Sequence, residues 1–297
     1  MKRFAALLTC YNRKAKTLEC LDALFQQEGV ENMTLDVYLV DDGSTDGTGE
    51  AIIAAYPDIR VITGTGSLFW NGGMRLAFGE AIAHDYDGYL WLNDDTILYA
   101  DALRSLLDTA ENLAKKGFEK AIVSASTQDP QTGELTYGGM KQRGWFYPPF
   151  NMQEVHPGNL PLQCDTICGN FVFIPRDAVV AIGNLDPQLT HYAGDWDYGL
   201  RAKQAGFTIW IAPGYQGTCP RNPKPSLEST PELQEGLQKI GQPKGLALQD
   251  VTLHPFAEWK VLMQRHGGIF WFVFWLLPYR RLLWNSVFKG KKQSKAL

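Results

Sequence analysis

The chain has 297 residues, with 28 Lys and Arg against 32 Asp and Glu, a formal net charge of −4 and 45% hydrophobic residues. This composition excludes an intrinsically disordered chain and a collagen-like repeat. The length predicts one main domain with an appendage. Five cysteines, an odd number in a long chain with no signal peptide after Met1, predict a reduced, cytoplasmic protein.

Apolar segments alternate with helical patterns through the first half of the chain. The predicted strands are residues 4–8, 37–40, 59–63 and 89–92, and the predicted helices are residues 18–25, 51–55, 74–83 and 102–113. This alternation predicts a mostly parallel, Rossmann-like α/β sheet with helices on both faces.

The second half of the chain is less regular. Residues 124–162 are rich in Gly, Pro and aromatic residues and predict a loop-rich acceptor region with one hairpin. A strand is expected at 166–174, a helix from Asp177, a helix at 198–205 that ends at Gly206, and a strand at 207–211. Residues 213–250 are expected to form a flexible loop or lid.

The polar residues cluster where three of the predicted strands end. The clusters are Thr9 to Asn12, Asp41 with Asp42, and Asn93 to Asp95. Ligands of parallel sheets bind outside the carboxyl ends of the strands, so these loops are expected to meet at one edge.

Asp94 and Asp95 give the strongest chemical signal. Two adjacent carboxylates after a buried strand repel each other, so something cationic should compensate them. Mg²⁺ or Mn²⁺ is suited to this position, with substrate phosphates completing its ligands. The alternative is that the two residues begin a turn and cap the next helix.

The segment Asp41 to Gly47 is the second signal. Its Gly, Ser, Thr and Asp residues favour tight turns and helix caps, and capping explains much of the motif. Capping does not explain two carboxylates at a strand end, where they can accept hydrogen bonds from a base imide or a ribose.

Four motifs together resemble family 2 inverting glycosyltransferases of the GT-A fold. They are Thr9 to Arg13, Val40 to Thr48, Asn93 to Asp95, and Gly194 to Asp197 followed by Leu200-Arg201 and Ala205-Gly206. The likeness spans residues 4–212, about 70% of the chain. Gly194 stands where many members have Glu, and this departure resembles the rhamnosyltransferase-like branch.

The resemblance implies roles on the donor side. Asp95 is implied as a direct metal ligand, and Asp94 as a ligand that also contacts the donor. The segment Leu68 to Arg75 is also similar to the rhamnosyltransferase-like branch. The residues implied to bind the nucleotide or the donor are Thr9, Tyr11, Asn12, Asp41, Asp42, Trp70, Asn71, Gly73 and Asp94.

The same resemblance implies that Asp195 is the general base. An inverting transfer needs one base to deprotonate the acceptor hydroxyl and no covalent nucleophile. The alternative is that Asp195 only caps the following helix, and Asp197 is a competing candidate for the base. Arg201 is expected to pair with an acidic neighbour.

The acceptor side is less defined by the sequence. Gly169, Asn170, His191, Trp196 and Asp197 are candidates for acceptor contacts or for support of the base. For Gly169 and Asn170 a turn remains an equal alternative, and for His191 a local hydrogen bond is favoured over a role in the site.

The C-terminal segment combines positive charge with aromatic residues. After Glu258 the chain has eight basic and no acidic residues, which leaves a charge of −12 on the rest. Residues 269–277 are an apolar run that is too short to span a bilayer, which needs roughly 20 residues. Tryptophans flanked by cations suit a lipid interface. The alternative is a helix that packs on the catalytic domain or in a dimer interface.

These observations predict a metal-dependent inverting glycosyltransferase, cytoplasmic and peripheral on the inner face of the membrane. It would transfer a sugar, rhamnose being one candidate, from a dTDP- or UDP-linked donor to a glycan or lipid-linked acceptor in cell-surface polysaccharide synthesis. No nucleic acid is expected as a partner. A nucleotidyltransferase and a non-catalytic glycan- or nucleotide-binding scaffold are the alternatives.

The sequence also predicts the domain boundaries. Residues 1–215 are expected to form the catalytic domain, with a nucleotide-sugar half at 1–123 and an acceptor half at 124–215. Residues 216–250 form the loop or lid, and residues 251–297 form a C-terminal segment that associates with a membrane or packs on protein.

Overall fold

The computed structural model describes residues 1–144, 149–190, 193–221 and 256–280. They fall into two compact units, one from Met1 to Arg221 and one within the segment from Asn222 to Leu297. The first unit contains the central sheet and all the strand-end motifs.

Thirteen strands are present in the described part of the first unit. They are β1 (Lys2–Cys10), β2 (Met33–Asp41), β3 (Arg60–Thr63), β4 (Gly88–Leu92), β5 (Ile97–Leu98), β6 (Ala121–Gln128), β7 (Leu135–Tyr137), β8 (Gly139–Gln142), β9 (Met152–Glu154), β10 (Leu162–Cys164), β11 (Thr166–Ile167), β12 (Phe171–Pro175) and β13 (Thr208–Thr218).

Eight α-helices are present in the described ranges of both units. They are α1 (Lys14–Phe25), α2 (Thr48–Ala55), α3 (Phe69–Ile82), α4 (Ala102–Lys115), α5 (Arg176–Ile182), α6 (Gly194–Gln204), α7 (Phe256–His266) and α8 (Trp271–Leu276).

The main sheet has the order β10-β13-β6-β12-β4-β1-β2-β3. β1 pairs in parallel with β2 and β4, β2 pairs in parallel with β3, and β6 pairs in parallel with β13. β12 runs antiparallel between β4 and β6, and β10 is antiparallel to β13. The predicted mostly parallel sheet is therefore confirmed.

Strand β1 shows why the sheet is covered on both faces. Phe4, Ala6 and Leu8 pack in the core cluster that contains α1, α2 and α4 residues. Ala5 and Leu7, which point to the opposite face, pack in the cluster that contains α3, α5 and α6 residues. Successive side chains of a strand point to opposite faces of the sheet, so one apolar strand contributes side chains to both cores.

Two elements begin or end differently from the prediction. Helix α6 starts at Gly194, four residues before the expected start, so Asp195 lies in its first turn. Strand β13 continues to Thr218 and pairs with β6 as far as Gln128. The boundary expected at residue 215 therefore falls inside a strand, and the compact unit extends to Arg221.

The loop-rich region also contains more structure than one hairpin. Its strands β8 and β9 form a small antiparallel sheet with β11. The expected strand 166–174 is divided into β11 and β12, with a turn at Gly169 and Asn170.

In the second unit, the described residues form α7, α8 and two short 3₁₀ turns. This agrees with the helical, aromatic appendage expected from the sequence. Within the ranges that the structure describes, no helix combines the length and the apolar character needed to cross a membrane. Residues 222–255 and 281–297, which include most of the expected lid, lie outside the described residues.

Candidate active site

Parallel strands bring the polar motifs to one edge of the sheet. Cys10 of β1 is in register with Asp41 of β2, and Asp41 is in register with Thr63 of β3. β4, the other neighbour of β1, ends at Leu92, directly before Asn93. The loops after these four strands therefore leave the sheet side by side, as the sequence predicted.

Asn12 joins the loop after β1 to the loop after β2. Its backbone amide donates to Ser44 Oγ at 2.9 Å, and its side-chain Oδ1 accepts a hydrogen bond from the Thr45 amide at 2.7 Å. Tyr11, next to it, is 52% exposed. The two loops are thus held together by hydrogen bonds, and the Tyr11 ring beside them is exposed.

Asp41 and Asp42 organise the backbone at this edge. Asp41 Oδ1 accepts a hydrogen bond from the Ser44 amide at 2.9 Å. Asp42 Oδ1 accepts one from the Gly66 amide, and its Oδ2 accepts from the amides of Leu68 and Phe69, at 2.8 to 3.1 Å. Buried Asp42 therefore holds the loop that leads into α3, whereas Asp41 is half-buried.

Asp94 and Asp95 form a buried acid pair beside a single cation. Arg13 Nη1 lies 3.1 Å from Asp94 Oδ1 and 2.8 Å from Asp95 Oδ2. The other oxygens contact weaker donors: Thr17 Oγ1 lies 3.4 Å from Asp94 Oδ2, and Cys219 Sγ lies 3.4 Å from Asp95 Oδ1. One oxygen of each carboxylate thus converges on one positive centre.

This pair fits a hard divalent cation. Burial raises the pKa of Asp94 to about 6, with Asp95 adding to the rise and Arg13 opposing it, so a further positive charge is favoured there. Oxygen donors of this kind suit Mg²⁺ or Mn²⁺. Among the described residues there is no group of three or more His, Cys, Asp or Glu with metal-binding geometry.

Trp70 connects the acid motif to the loop between β11 and β12. Its Nε1 donates to Asn93 Oδ1 at 2.6 Å, and the Asn93 amide donates to the carbonyl oxygen of Asn170 at 2.9 Å. Gly169 packs on the ring so closely that a Cβ there would collide with Trp70 Cζ2. The predicted residues Trp70, Gly169 and Asn170 are therefore brought together with Asn93.

Asp195 is held at the start of α6 by two backbone amides. The Gly169 amide donates to its Oδ2 at 2.9 Å and the Trp196 amide donates to its Oδ1 at 2.8 Å. Burial raises the pKa of Asp195 to about 6, although both amides favour the charged form. A carboxylate with such a pKa is ionised at neutral pH and can accept a proton.

Asp197 differs from Asp195 in its surroundings. Its side chain is fully buried and its Oδ2 accepts a hydrogen bond from Arg201 Nε at 2.7 Å. Arg201 also donates to the carbonyl oxygens of Ile182 and Asn184. The expected pairing of Arg201 with an acidic neighbour is confirmed, and Asp197 acts in the packing of α6.

Two predicted donor residues, Asn71 and Gly73, lie inside the protein. The Asn71 amide donates to the carbonyl oxygens of Leu189 and Asp186, and its Oδ1 abuts Gly194. A Cβ at Gly73 would collide with Thr9, so α3 crosses the end of β1 at close range. In this arrangement both residues position α3, and Thr9 is buried against it.

On the acceptor side, Trp196 is half-buried and stacks on Phe150. The ring centroids lie 6.2 Å apart and the ring planes are 16° from parallel. The two rings form an aromatic surface next to Asp195. His191 lies outside the described residues.

Backbone strain is concentrated around these elements. In the described ranges, the non-glycine residues with positive φ are Asn12, Phe69, Phe150 and Ala193. Such conformations cost about 1–3 kcal/mol each and cluster at functional sites. Ala193 lies two residues before Asp195 and the other three lie in or beside the loops described above, which supports the location of the site.

Sequence reasoning missed three partners of the acid pair. It required a cation near Asp94 and Asp95 but did not assign Arg13, which was in a quoted motif. Thr17 is one helical turn beyond Arg13, so the predicted position of α1 could have placed Thr17 near the acid pair. Cys219 gave no signal, since it reaches Asp95 only through the extension of β13.

A mostly parallel sheet with a strand-end acid pair and a separate half-buried carboxylate defines a protein of the GT-A glycosyltransferase class. The chain belongs to glycosyl transferase family 2, whose family model matches residues 6–178. The family resemblance inferred from the four motifs is thereby confirmed.

Two curated relatives are similar over part of their length. Both are N-acetylglucosaminyl-diphospho-decaprenol L-rhamnosyltransferases of Mycobacterium tuberculosis, from strains CDC 1551 / Oshkosh and ATCC 25618 / H37Rv. Each is 26% identical over 204 residues, which are 60% of this chain and 64% of the relative. The chain thus matches less than two thirds of the relatives' length.

Solved structures share the fold at low sequence identity. TarS 1-349 of S. aureus in complex with UDP has a TM-score of 0.54 and 14% identity, over 89% of this chain and 70% of that chain. The mannosyltransferase PcManGT from Pyrobaculum calidifontis, in complex with GDP-Man and Mn²⁺, has a TM-score of 0.50 and 17% identity, over 73% and 56%. These likenesses establish the GT-A fold.

Proposed function

We propose that this protein is a metal-dependent, inverting glycosyltransferase that uses Asp195 as its general base. The observation that carries the proposal is the environment of Asp195, a half-buried carboxylate fixed by two amides and with a pKa raised to about 6. The loop that holds it also contacts Asn93, which directly precedes the acid pair. The loop between β11 and β12 therefore contacts both the proposed base and the residue that precedes the proposed diphosphate site.

The proposed reaction is a single displacement. Asp195 accepts the proton of an acceptor hydroxyl as its oxygen forms a bond to the anomeric carbon. The bond between that carbon and the diphosphate oxygen breaks on the opposite face, and the nucleoside diphosphate leaves with the electron pair. Because one displacement occurs, the anomeric configuration is inverted. The proton passes from Asp195 to solvent.

The donor is proposed to lie across the strand ends. Asp94 and Asp95 would hold Mg²⁺ or Mn²⁺, which neutralises the charge that develops on the leaving diphosphate. Tyr11, Asn12 and Asp41 would line the nucleoside, since they border the edge where the loops after β1 and β2 are joined. Thr9, Asp42, Asn71 and Gly73 would support this surface from behind through the contacts described above.

The proposed donor and acceptor follow from the curated relatives. Their name specifies an L-rhamnosyl transfer to N-acetylglucosaminyl-diphospho-decaprenol. We therefore propose a dTDP- or UDP-linked sugar, with rhamnose tested first, and a glycan or lipid-linked acceptor in cell-surface polysaccharide synthesis. The aromatic surface of Trp196 and Phe150 is suited to one face of an acceptor sugar.

A lipid-linked acceptor is consistent with a peripheral position at the inner face of the membrane. In the second unit, Ile269 is 82%, Phe270 58% and Phe272 50% exposed. Arg280 follows these residues, and Lys260 lies over the Trp275 ring at 5.3 Å. Exposed apolar side chains beside cations suit the boundary between lipid headgroups and acyl chains.

The test is turnover with dTDP-rhamnose and with UDP-linked sugars, in the presence of Mn²⁺ and an N-acetylglucosaminyl-diphospholipid. The wild type should form a product whose anomeric configuration, measured by NMR, is opposite to that of the donor. Asp195→Asn is the matched inactive control. Retention of configuration, or equal turnover by the two proteins, would overturn the proposal.

A further inference from the structure

The position of Arg13 is unusual because one of its atoms contacts both members of the acid pair. Nη1 lies 3.1 Å from Asp94 Oδ1 and 2.8 Å from Asp95 Oδ2. The two carboxylates are almost fully buried, with 8% and 4% of their side chains exposed, whereas 41% of the Arg13 side chain is exposed. A partly exposed cation therefore neutralises a buried pair of anions.

The contact uses the oxygens that a metal would need. Asp94 Oδ2 and Asp95 Oδ1 are turned to Thr17 and Cys219, so Asp94 Oδ1 and Asp95 Oδ2 are the pair that converges on one point. That point is occupied by the guanidinium. A divalent cation held by these two carboxylates would have to displace it.

The Arg13 guanidinium leaves the acid pair at a lower cost in free energy when a second anion, the diphosphate, arrives with the metal. A guanidinium binds phosphate oxygens well, because its planar donors match two of them at once. Arg13 directly precedes α1, in the loop after β1 that Asn12 joins to the loop after β2. Its exposed side chain is therefore free to exchange the acid pair for a diphosphate bound along the same edge.

We propose that Arg13 occupies the cation position of the acid pair in the donor-free protein and moves to the diphosphate when metal and donor bind together. The proposal rests on the proposed glycosyltransferase function. Its consequence is an order of binding, in which the metal enters with the nucleotide and does not precede it. Arg13 is a positioning residue in this scheme, because it acts by controlling the occupancy of the carboxylates.

The experiment measures Mn²⁺ binding by the loss of the free Mn²⁺ signal in electron paramagnetic resonance, with no sugar donor present, after subtraction of the Mn²⁺ that UDP or dTDP binds in the absence of protein. The proteins are the wild type, Arg13→Gln and Lys16→Met, each alone and with UDP or dTDP. Lys16 is an exposed cation on the same helix that forms no ion pair with the acid pair among the described residues, so its variant controls for the loss of one positive charge.

The wild type and Lys16→Met should bind Mn²⁺ at least tenfold more tightly with nucleotide than alone. Arg13→Gln should bind Mn²⁺ alone at least tenfold more tightly than the wild type, and the nucleotide should improve this affinity much less. The melting temperature of Arg13→Gln should also rise more on addition of Mn²⁺ than that of the wild type, because the metal replaces the missing cation.

Equal affinity of wild type and Arg13→Gln for Mn²⁺ alone, with nucleotide-dependent binding intact in both, would overturn the role of Arg13 and leave the proposed function standing. The absence of Mn²⁺ binding by every protein, with or without nucleotide, would overturn both. If Arg13→Gln fails to fold, the wild type alone decides: Mn²⁺ that binds equally well with and without nucleotide contradicts the proposal.

Discussion

The backbone amide of Gly169 donates a hydrogen bond of 2.9 Å to Oδ2 of Asp195, and the Cα of Gly169 faces the ring of Trp70 at a distance that leaves no space for a methyl group. Trp70 is itself fixed by a hydrogen bond to Asn93. The position of the proposed base therefore depends on the contact between Gly169 and Trp70. Only glycine satisfies both contacts of residue 169.

Gly169→Ala should lower kcat by about 10²-fold, because a side chain at this position pushes the amide away from Asp195 and misplaces the base by a fraction of an ångström to an ångström. The double variant Gly169→Ala with Trp70→Leu removes the collision. It should recover part of the activity lost by Gly169→Ala, relative to Trp70→Leu alone. Steady-state kinetics of the four proteins measure this coupling, and strictly additive losses would contradict it.

Asp195→Asn should lower kcat by roughly 10²–10⁴-fold, the usual contribution of a general base, and leave the affinity for the nucleotide nearly unchanged. The reason is that Asp195 accepts hydrogen bonds from the Gly169 and Trp196 amides and, among the described residues, shares no hydrogen bond with the acid pair. Nucleotide titrations and single-turnover rates separate the two effects. A large loss of nucleotide affinity in this variant would assign Asp195 to the donor site.

The pH dependence of the reaction should report the same residue. Because Asp195 must be ionised to accept a proton and its pKa is raised to about 6, kcat/KM should fall about tenfold per pH unit below pH 6 and be level above it. The measurement needs saturating Mn²⁺, so that Asp94, whose pKa is also raised to about 6, stays ionised. An acid limb centred near pH 4 would show that the base is not in a desolvated position.

The stability of the fold should respond to pH in a related way. The folded-state pKa of Asp195 exceeds the ordinary value of 3.8, so the folded protein binds this proton more tightly than the unfolded chain. Its contribution to the free energy of unfolding is present below pH 3.8 and is lost as the pH rises to about 6. The melting temperature of Asp195→Asn, relative to wild type, should therefore be higher at pH 7.5 than at pH 4.

Asp197→Asn should act through stability. The side chain of Asp197 is fully buried and only 18% of the Arg201 side chain is exposed, so the change leaves a cation uncompensated in the core, at a cost of about 3–5 kcal/mol. The matched control is Asp85→Asn, which breaks the exposed pair with Arg176 and should leave the melting temperature nearly unchanged. If Asp197→Asn keeps the wild-type melting temperature and loses turnover, Asp197 is the base.

Much of the fold was predictable because the strands are short, apolar and followed by polar residues. The start of α6 was not predictable, since Gly194 and Asp195 have weak helix propensity and the apolar period begins only at Tyr198. The helix extends to Gly194 because Gly194 packs against Asn71 of α3 and Ala193 takes a positive φ to enter it. The first is a tertiary contact and the second is a backbone conformation, and no local pattern contains either.

The site was predictable in its residue types and less so in their individual contacts. Spacing along the chain placed Asp94, Asp95 and Asp195 at strand or helix ends. Spacing could not distinguish Asp41, which is half-buried, from Asp42, whose carboxylate accepts hydrogen bonds from three backbone amides. It also could not show that Asn71 is turned inward, because that depends on the carbonyl groups of a segment more than 100 residues away.

The apolar side chains of the second unit should bind the protein to anionic lipid. Burial of a side chain of this size contributes about 1.5–3 kcal/mol, and each nearby Lys or Arg adds about 1 kcal/mol at an anionic surface. The variant Ile269→Ser with Phe270→Ser should therefore lower binding to anionic vesicles at least tenfold without changing the charge. The matched control is Ile53→Ser with Val180→Ser, which removes two apolar side chains that are 54% and 77% exposed on the first unit.

Co-sedimentation with anionic and neutral vesicles at low and high salt measures both contributions. Wild type and control should sediment with anionic vesicles and lose this binding in high salt, because the basic residues act through screened charge. Equal sedimentation of both double variants would show that Ile269 and Phe270 do not enter the lipid, and the deletion of residues 269–297 should then cause aggregation by exposing the surface on which they pack.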